Sequence, residues 1–207
     1  MIVQGNQPYT EASFSLKNRI GRQVWNTVWL LLFRPSPRPM HDWRNLLLRL
    51  FGARLGRQTH IYPTVKIWAP WNLRIGDHVG VADGVTIYNM ALIDIGDYAV
   101  VSQGAHLCGG THDYNSANFQ LCARPIHIGV HVWICAEAFL APGVSVADGA
   151  VVGARSVVTR ALDEPWTVYA GNPCKRVGAR RRQGQPGQPG QPGRQVQVEV
   201  QPGAGAP

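Results

Sequence analysis

Acidic residues are scarce in this chain: 12 Asp and Glu stand against 20 Lys and Arg in 207 residues, a formal charge of +8. A surplus of that sign points first to a polyanionic partner, such as nucleic acid or an acidic membrane surface. Charged residues are few altogether, at 15%, so the surplus reflects missing acids rather than dense basic tracts. Residues 1–57 carry nine basic residues against Glu11 and Asp42, residues 58–179 seven against nine acidic, and residues 180–207 four against Glu199. A nucleic-acid-binding body would carry the basic face itself. The body here is near neutral and only its ends are basic, so no nucleic-acid partner is expected.

Cysteine is equally sparse. Cys108, Cys122, Cys135 and Cys174 form no Cys-x-x-Cys pair and no dense framework, which excludes a disulfide-stapled scaffold and fits reduced thiols in a cytoplasmic protein. Long apolar runs are lacking too. The most apolar stretch, 24–33, follows Lys17, Arg19 and Arg22; it is too short to span a bilayer, and Arg34-Pro35-Ser36-Pro37-Arg38-Pro39 is no cleavage site. Residues 16–33 read as a basic helix with Trp25, Trp29, Leu32 and Phe33. It is expected to pack on its own domain or a neighbouring subunit, with peripheral membrane contact as the alternative. A second helix is marked by Trp43, Leu46, Leu47 and Leu50 at i, i+3, i+4, i+7, with Gly52 as its stop. That stripe needs a partner surface.

What the chain has in quantity is an aliphatic residue every six positions. Leu55, Ile61, Ile67 and Leu73 are followed by Ile75, Val81, Ile87 and Ile93, then Ile95, Val101 and Leu107. The pattern resumes at Ile128, Ile134, Leu140, Val146, Val152 and Val158, and four residues after these positions stand mostly small or β-branched residues, such as Val65, Ala99, Ala138 and Ala150. Neither a helix nor an alternating strand has a period of six, whereas a parallel β-helix does, each hexapeptide making one short strand and a turn. Leu55-Gly56, Ile75-Gly76 and Ile95-Gly96 recur every twenty residues, and Ile128-Gly129 restarts the register. Three hexapeptides per coil imply a triangular prism, whose glycines are expected to supply corner conformations that side chains forbid.

These [Leu/Ile/Val]-Gly-x-x-[small]-x units resemble the hexapeptide-repeat acyltransferases. Residues from about Arg44 to Arg180, including Leu46-Leu47-Leu48-Arg49-Leu50-Phe51-Gly52-Ala53, look most like the colanic-acid-biosynthesis acetyltransferases, and more distantly like galactoside and maltose O-acetyltransferases. The resemblance implies an all-β fold, a left-handed parallel β-helix, assembled as a homotrimer. It also implies acetyl-CoA as co-substrate with no metal required, a sugar or glycan acceptor, and O-acetyl transfer in exopolysaccharide or surface-glycan biosynthesis. The domains expected are a helical cap over 1–54, the β-helix over 55–178 with an inserted loop at 109–125, and a flexible low-complexity tail over 179–207 built on Gly-Gln-Pro repeats. Arg180-Arg181-Arg182 is expected to be a solvated end of the body.

An insertion projecting from a rigid solenoid is where a binding site is expected. Acyl transfer to an alcohol needs a base for the hydroxyl proton, and histidine titrates in the right range. Thr111-His112-Asp113 matches the position of the family's catalytic histidine, so the resemblance assigns His112 as general base, with Asp113 as a candidate to orient the imidazole. Trp133 matches the aromatic beside the active site, Ala136, Ala154 and Thr159 match the CoA groove, and Arg160 and Lys175 match basic positions near the nucleotide phosphates, a role Arg176 could share. For the acceptor, Gly84 stands where the galactoside enzymes carry an asparagine; Asp83, Tyr88 and Asn89 are the candidates. His60, His78, His106, His127 and His131 read as prism-surface or corner residues, and His106, Cys108, His112 and Cys122 fit no common zinc spacing. Two other readings stay open: an N-acyltransferase on an amino sugar, and a non-catalytic or metal-binding β-helix.

Overall fold

The computed structural model describes residues 13–181; the Gly-Gln-Pro repeats lie outside them. The hexapeptide positions wind into a triangular β-helix of three parallel sheets. The first face stacks Arg54–Leu55, Leu73–Ile75, Ile93–Ile95, Ile126–Ile128 and Ser145–Val146. The second stacks His60–Ile61, Gly80–Val81, Val100–Val101, Trp133–Ile134, Val151–Val152 and Thr167–Ala170, closed by the antiparallel strand Lys175–Ala179. The third stacks Lys66–Ile67, Thr86–Tyr88, His106–Cys108, Phe139–Leu140 and Val157–Val158. Ile67, Ile87, Leu107, Leu140 and Val158 stand directly over one another on this face. Each points inward and is essentially buried, so one apolar column runs the length of the prism, each residue adding about 1.5–3 kcal/mol of burial. The small residues between strands, such as Val65, Ala99, Ala138 and Ala150, are buried at the corners.

The glycines of the Leu-Gly and Ile-Gly pairs obey a different rule from the one expected of them. Gly56, Gly76, Gly96 and Gly129 are not in the left-handed region. They are glycine because the next coil is too close: a Cβ on Gly76 would lie 2.1 Å from Oδ1 of Asp97, and one on Gly56 2.3 Å from Oδ1 of Asp77. Those carboxylates accept from backbone amides one coil away, Arg57 N to Asp77 and Asp77 N to Asp97, both at 2.7 Å. On this edge positive φ falls two residues further on, at Gln58, His78, Tyr98, His131, Gly149 and Trp166, and at other corners Gly84, Gly104 and Gly143 take it. Such conformations are unfavourable for residues with a Cβ. They are offset by coil-to-coil bonds, His78 N to Arg57 O and Tyr98 N to Asp77 O, both at 2.9 Å. Ring stacking adds to this, with centroids 4.8 Å apart for His78 and Tyr98 and 4.9 Å for Tyr98 and His131.

The cap closes the open end of the prism. Helix α1 (Leu16–Val28) runs on through a π turn (Trp29–Phe33), and α2 (His41–Leu50) follows the proline segment. The first coil bonds to the coil after it, as in Gly56 N to Ile75 O and His60 N to Val79 O, but the carbonyls on its other side have no preceding strand. Side-chain donors of the cap take them: Trp25 Nε1 to Ile67 O, Trp29 Nε1 to Val65 O, Arg44 Nε to Ile61 O and Asn45 Nδ2 to Thr59 O, all at 2.6–2.8 Å. This corrects the stripe expected on α2. Its inner face is Arg44, Asn45, Leu47 and Leu48, while Leu46 and Leu50 point outward, because the carbonyl edge requires donors. At the far end Arg180 is not solvated as expected: it donates to His131 O at 2.6 Å and Gly149 O at 3.0 Å and lies over Trp166.

His106 lies on the third face with its Nε2 buried and without a hydrogen-bond partner among the described residues, edge-on to Phe139. Burial holds its pKa below the ordinary histidine value, and His41 is lowered in the same way, further so by the neighbouring Arg44 and His60. Both groups bind a proton less readily when folded. Their stabilisation is therefore whole above about pH 6.5 and is lost as pH falls below that value toward the folded pKa. Unfolding midpoints should decline below that pH, and His106→Phe should flatten the decline; an unaltered slope would remove His106 from the account. Gly76→Ala should cost about 1–3 kcal/mol in denaturant unfolding, whereas Gly80→Ala, whose Cβ would meet nothing within 4 Å, should change stability by less than about 1 kcal/mol. Equal effects would contradict the close-approach explanation.

Candidate active site

The insertion expected at 109–125 is a hairpin at the edge between the third and first faces. Gly110–His112 pairs antiparallel with Leu121–Ala123, His112 standing opposite Leu121 at the outer end of the ladder. Its root is tight: a Cβ on Gly110 would lie 2.5 Å from Sδ of Met90 and 3.1 Å from the Tyr88 ring. The His112 side chain is exposed, stacked on Phe119 with centroids 4.5 Å apart and planes 12° from parallel. Its Nδ1 lies 2.9 Å from the Phe119 carbonyl oxygen. A carbonyl only accepts, so Nδ1 carries the hydrogen, and in the neutral ring the lone pair is on Nε2.

Asp113 does not perform the orienting role considered for it. Its Oδ1 accepts from Asn115 N at 3.1 Å, forming a turn within the hairpin, and the orienting contact to the imidazole is the backbone of Phe119. Asn89 is displaced from its expected role more completely. It is buried, with Oδ1 accepting from Ala69 N at 3.0 Å and Nδ2 donating to Ala69 O at 2.6 Å and Asn72 O at 3.1 Å, so it braces two coils. Tyr88 is half-buried beside Trp68, its phenol pKa raised by burial, and lines an apolar hollow of about 430 Å³ between α1 and the third face.

Asp83 lies elsewhere, at the edge between the second and third faces. It accepts from Thr64 Oγ1 at 2.8 Å and pairs with Arg38 at 3.0 Å, whose guanidinium also covers the Tyr62 ring. Asp83, Arg38 and Tyr62, together with His60, Ser102 and Gln103, line a hollow of about 530 Å³ on the second face. Trp133, half-exposed on that face, donates from Nε1 to Ser102 Oγ at 2.9 Å. Tyr62, Ser102 and Arg38 were not anticipated, although the register could have found two of them, since Tyr62, Ala82 and Ser102 each directly follow an inward residue of the second face.

Ala136 and Ala154 occupy one turn position in successive coils on the same edge as Asp83, joined by Arg155 N to Ala136 O at 2.9 Å. Lys175 begins the closing strand opposite Ala170. Thr159 and Arg160 follow Val158 at the other edge, the one from which the hairpin projects. Arg160 and Lys175 take no part in the ion pairs of the described residues, whereas Arg176 is paired with Glu164 at 3.0 Å. The candidates thus divide between two edges of one prism: His112, Thr159 and Arg160 on one, Asp83, Trp133, Ala136, Ala154 and Lys175 on the second face and its edge. Among the described residues no group of three or more His, Cys, Asp or Glu side chains is placed to hold a metal ion, and all four cysteines are free.

No family model matches the chain. The protein named for colanic acid biosynthesis, the acetyltransferase WcaF of Escherichia coli strain K12, is 45% identical over 156 residues, covering 75% of this chain and 85% of that protein. Galactoside O-acetyltransferase of the same strain is 30% identical over 135 residues, covering 64% of this chain and 66% of its own length. Among solved structures, a galactoside acetyltransferase in complex with coenzyme A superposes with a TM-score of 0.73 at 26% identity, covering 81% of this chain and 84% of that one. A hexapeptide-repeat-containing acetyltransferase of Vibrio cholerae O1 biovar eltor, complexed with acetyl coenzyme A, shares the fold at a TM-score of 0.73 and 23% identity, covering 81% of this chain and 91% of that chain.

Asn89→Ala leaves the Ala69 amide and two carbonyls without their partner, and should lower stability by at least about 2 kcal/mol in denaturant unfolding. A loss under about 0.5 kcal/mol, within the range of a surface change, would reopen a role for Asn89 at the acceptor.

Proposed function

The chain belongs to the hexapeptide-repeat acetyltransferases, and from that premise we propose that it transfers an acetyl group from acetyl-CoA to a sugar hydroxyl in exopolysaccharide or surface-glycan biosynthesis. The observation that carries this reading is the fixed tautomer of His112. With Nδ1–H held by the Phe119 carbonyl, Nε2 removes the acceptor's hydroxyl proton as that oxygen attacks the thioester carbonyl. The tetrahedral intermediate collapses by breaking the carbon–sulfur bond, and the imidazolium returns its proton to the departing CoA thiolate. No covalent enzyme intermediate is needed, so the free cysteines have no part in the step.

The division of the candidates supports a homotrimer. One convex prism offers no cleft that could enclose two substrates, whereas the groove between neighbouring prisms brings the hairpin edge of one copy against the second face of the next. The acceptor then sits in the hollow lined by Asp83 and Ser102 beside Trp133, where a carboxylate, a hydroxyl and an indole suit a sugar. The pantetheine arm follows the small residues Ala136 and Ala154. Lys175 from this copy and Thr159 with Arg160 from its neighbour lie at the ends of that groove, available to the CoA phosphates. No metal enters this scheme. Free thiols and the acetyl-CoA requirement favour the cytoplasm.

With acetyl-CoA and a panel of sugar acceptors, wild-type protein should release CoA, and His112→Ala should be slower by about 10²–10⁴. Equal rates would eliminate His112 as base. Subunits carrying His112→Ala, co-refolded with subunits carrying Trp133→Ala, should be more active than either parent, because some grooves then receive both intact residues. A mixture no better than the average of its parents would place the site within one chain.

A further inference from the structure

The cap has more apolar surface than the prism covers. Helix α1 turns Trp25, Trp29 and Phe33 inward, with Trp25 and Phe33 wholly buried, yet Leu16, Ile20, Val24 and Leu31 form a second stripe along its opposite side. These four are 67%, 55%, 49% and 63% exposed. The π turn at Trp29–Phe33 leaves Leu30, Leu31 and Leu32 all exposed in succession, a protruding leucine knob rather than a flat face. On α2, Leu46 and Leu50 are exposed as well, because the inner side of that helix is committed to the donors that close the first coil. No helix among the described residues is long and apolar enough to cross a membrane.

The charges around this surface have one sign. Lys17 and Arg19 flank the Leu16–Ile20 line on either side at helical spacing, and Arg34 follows the leucine knob. Asp42 is the only acid among described residues 13–57, and Lys17, Arg19, Arg34 and Arg49 take no part in the ion pairs of the described residues. We infer that this outward face of α1, the π turn and α2 is a docking surface for an anionic membrane, the leucines entering the headgroup boundary while Lys17, Arg19 and Arg34 meet lipid phosphates. A second copy of the chain is the competing occupant. The exposed large apolar residues outside the cap, Tyr98, Val100, Tyr114, Phe119, Val130, Trp133 and Val177, are spread over the prism, hairpin and closing strand and offer no stripe of matching length. The surplus cations would also face a near-neutral body.

The test uses the full chain with vesicles of phosphatidylglycerol and phosphatidylcholine in equal parts, and of phosphatidylcholine alone, read by co-sedimentation. Binding should be at least about tenfold tighter to the anionic vesicles and weaken with added salt. Ile20→Ser, Leu31→Ser and Leu50→Ser combined should reduce it at least about tenfold, with thermal midpoint and oligomeric state unchanged. Lys17→Glu with Arg19→Glu should abolish the anionic preference, and carries the test if the triple variant does not fold. Failure to bind, or binding indifferent to the charge variant, overturns the inference. So does dissociation of the oligomer by the serine variant, which would assign the face to another copy. None of these readouts requires acetyl transfer, so their failure is separate from failure of the proposed function.

Discussion

Each coil is bonded through its backbone to the coil on either side, in one sense by bonds such as His60 N to Val79 O and in the other by bonds such as His78 N to Arg57 O. The first coil has no coil before it, and its buried carbonyls left without donors would cost free energy comparable to lost hydrogen bonds. Much of the cap follows from that unpaired end. The cap is rich in Trp, Arg and Asn because those side chains donate. Arg44 is the extreme case: it is completely buried, yet it donates to Ile61 O, Pro37 O, Arg38 O and Ser36 Oγ, so a guanidinium inside the protein is satisfied without a carboxylate. Part of the excess of basic residues in the first quarter of the chain therefore has a structural cause.

The same tight stacking governs the corners. Coils separated by one hydrogen bond leave no room for a side chain wherever a carboxylate from the next coil must reach a backbone amide, and the glycines fall at those points. Left-handed conformations fall two residues further on, and three of the residues that carry them, His78, Tyr98 and His131, stack their rings along the edge. The two demands are spatially adjacent and chemically opposite, one requiring the absence of a side chain and the other using a large one.

The repeat made most of the prism legible, because a six-residue period in Leu, Ile and Val has few other physical explanations and every inward position after the half-buried Leu55 proved buried. The role of the Ile-Gly glycines was not legible, since close approach and positive φ leave the same letter in the sequence. Helix α2 misled for a related reason. Its apolar spacing was correct, but burial went to Arg44 and Asn45, and only the position of the first coil's carbonyls shows why. Within the candidate site, His112 was singled out through its inserted segment and motif. Its partner, the Phe119 carbonyl, carries no side-chain signature. Asn89 was chosen for its polarity, whereas its bonds to Ala69 and Asn72 depend on a turn that the register alone does not reveal.

The hairpin bearing His112 enters and leaves the prism across a single coil spacing, with Arg124 N bonded to Gly109 O and Gly109 N to Tyr88 O. On either side of it Leu107 and Leu140 remain in register, as they would if the intervening residues were absent. Scaffold and inserted segment are therefore structurally separable. Because closing a longer loop between fixed ends costs little more than closing a shorter one, this segment can be lengthened, shortened or exchanged while the column beneath it keeps every contact. The prism thus carries a variable element whose sequence is free of the constraints that hold the coils together.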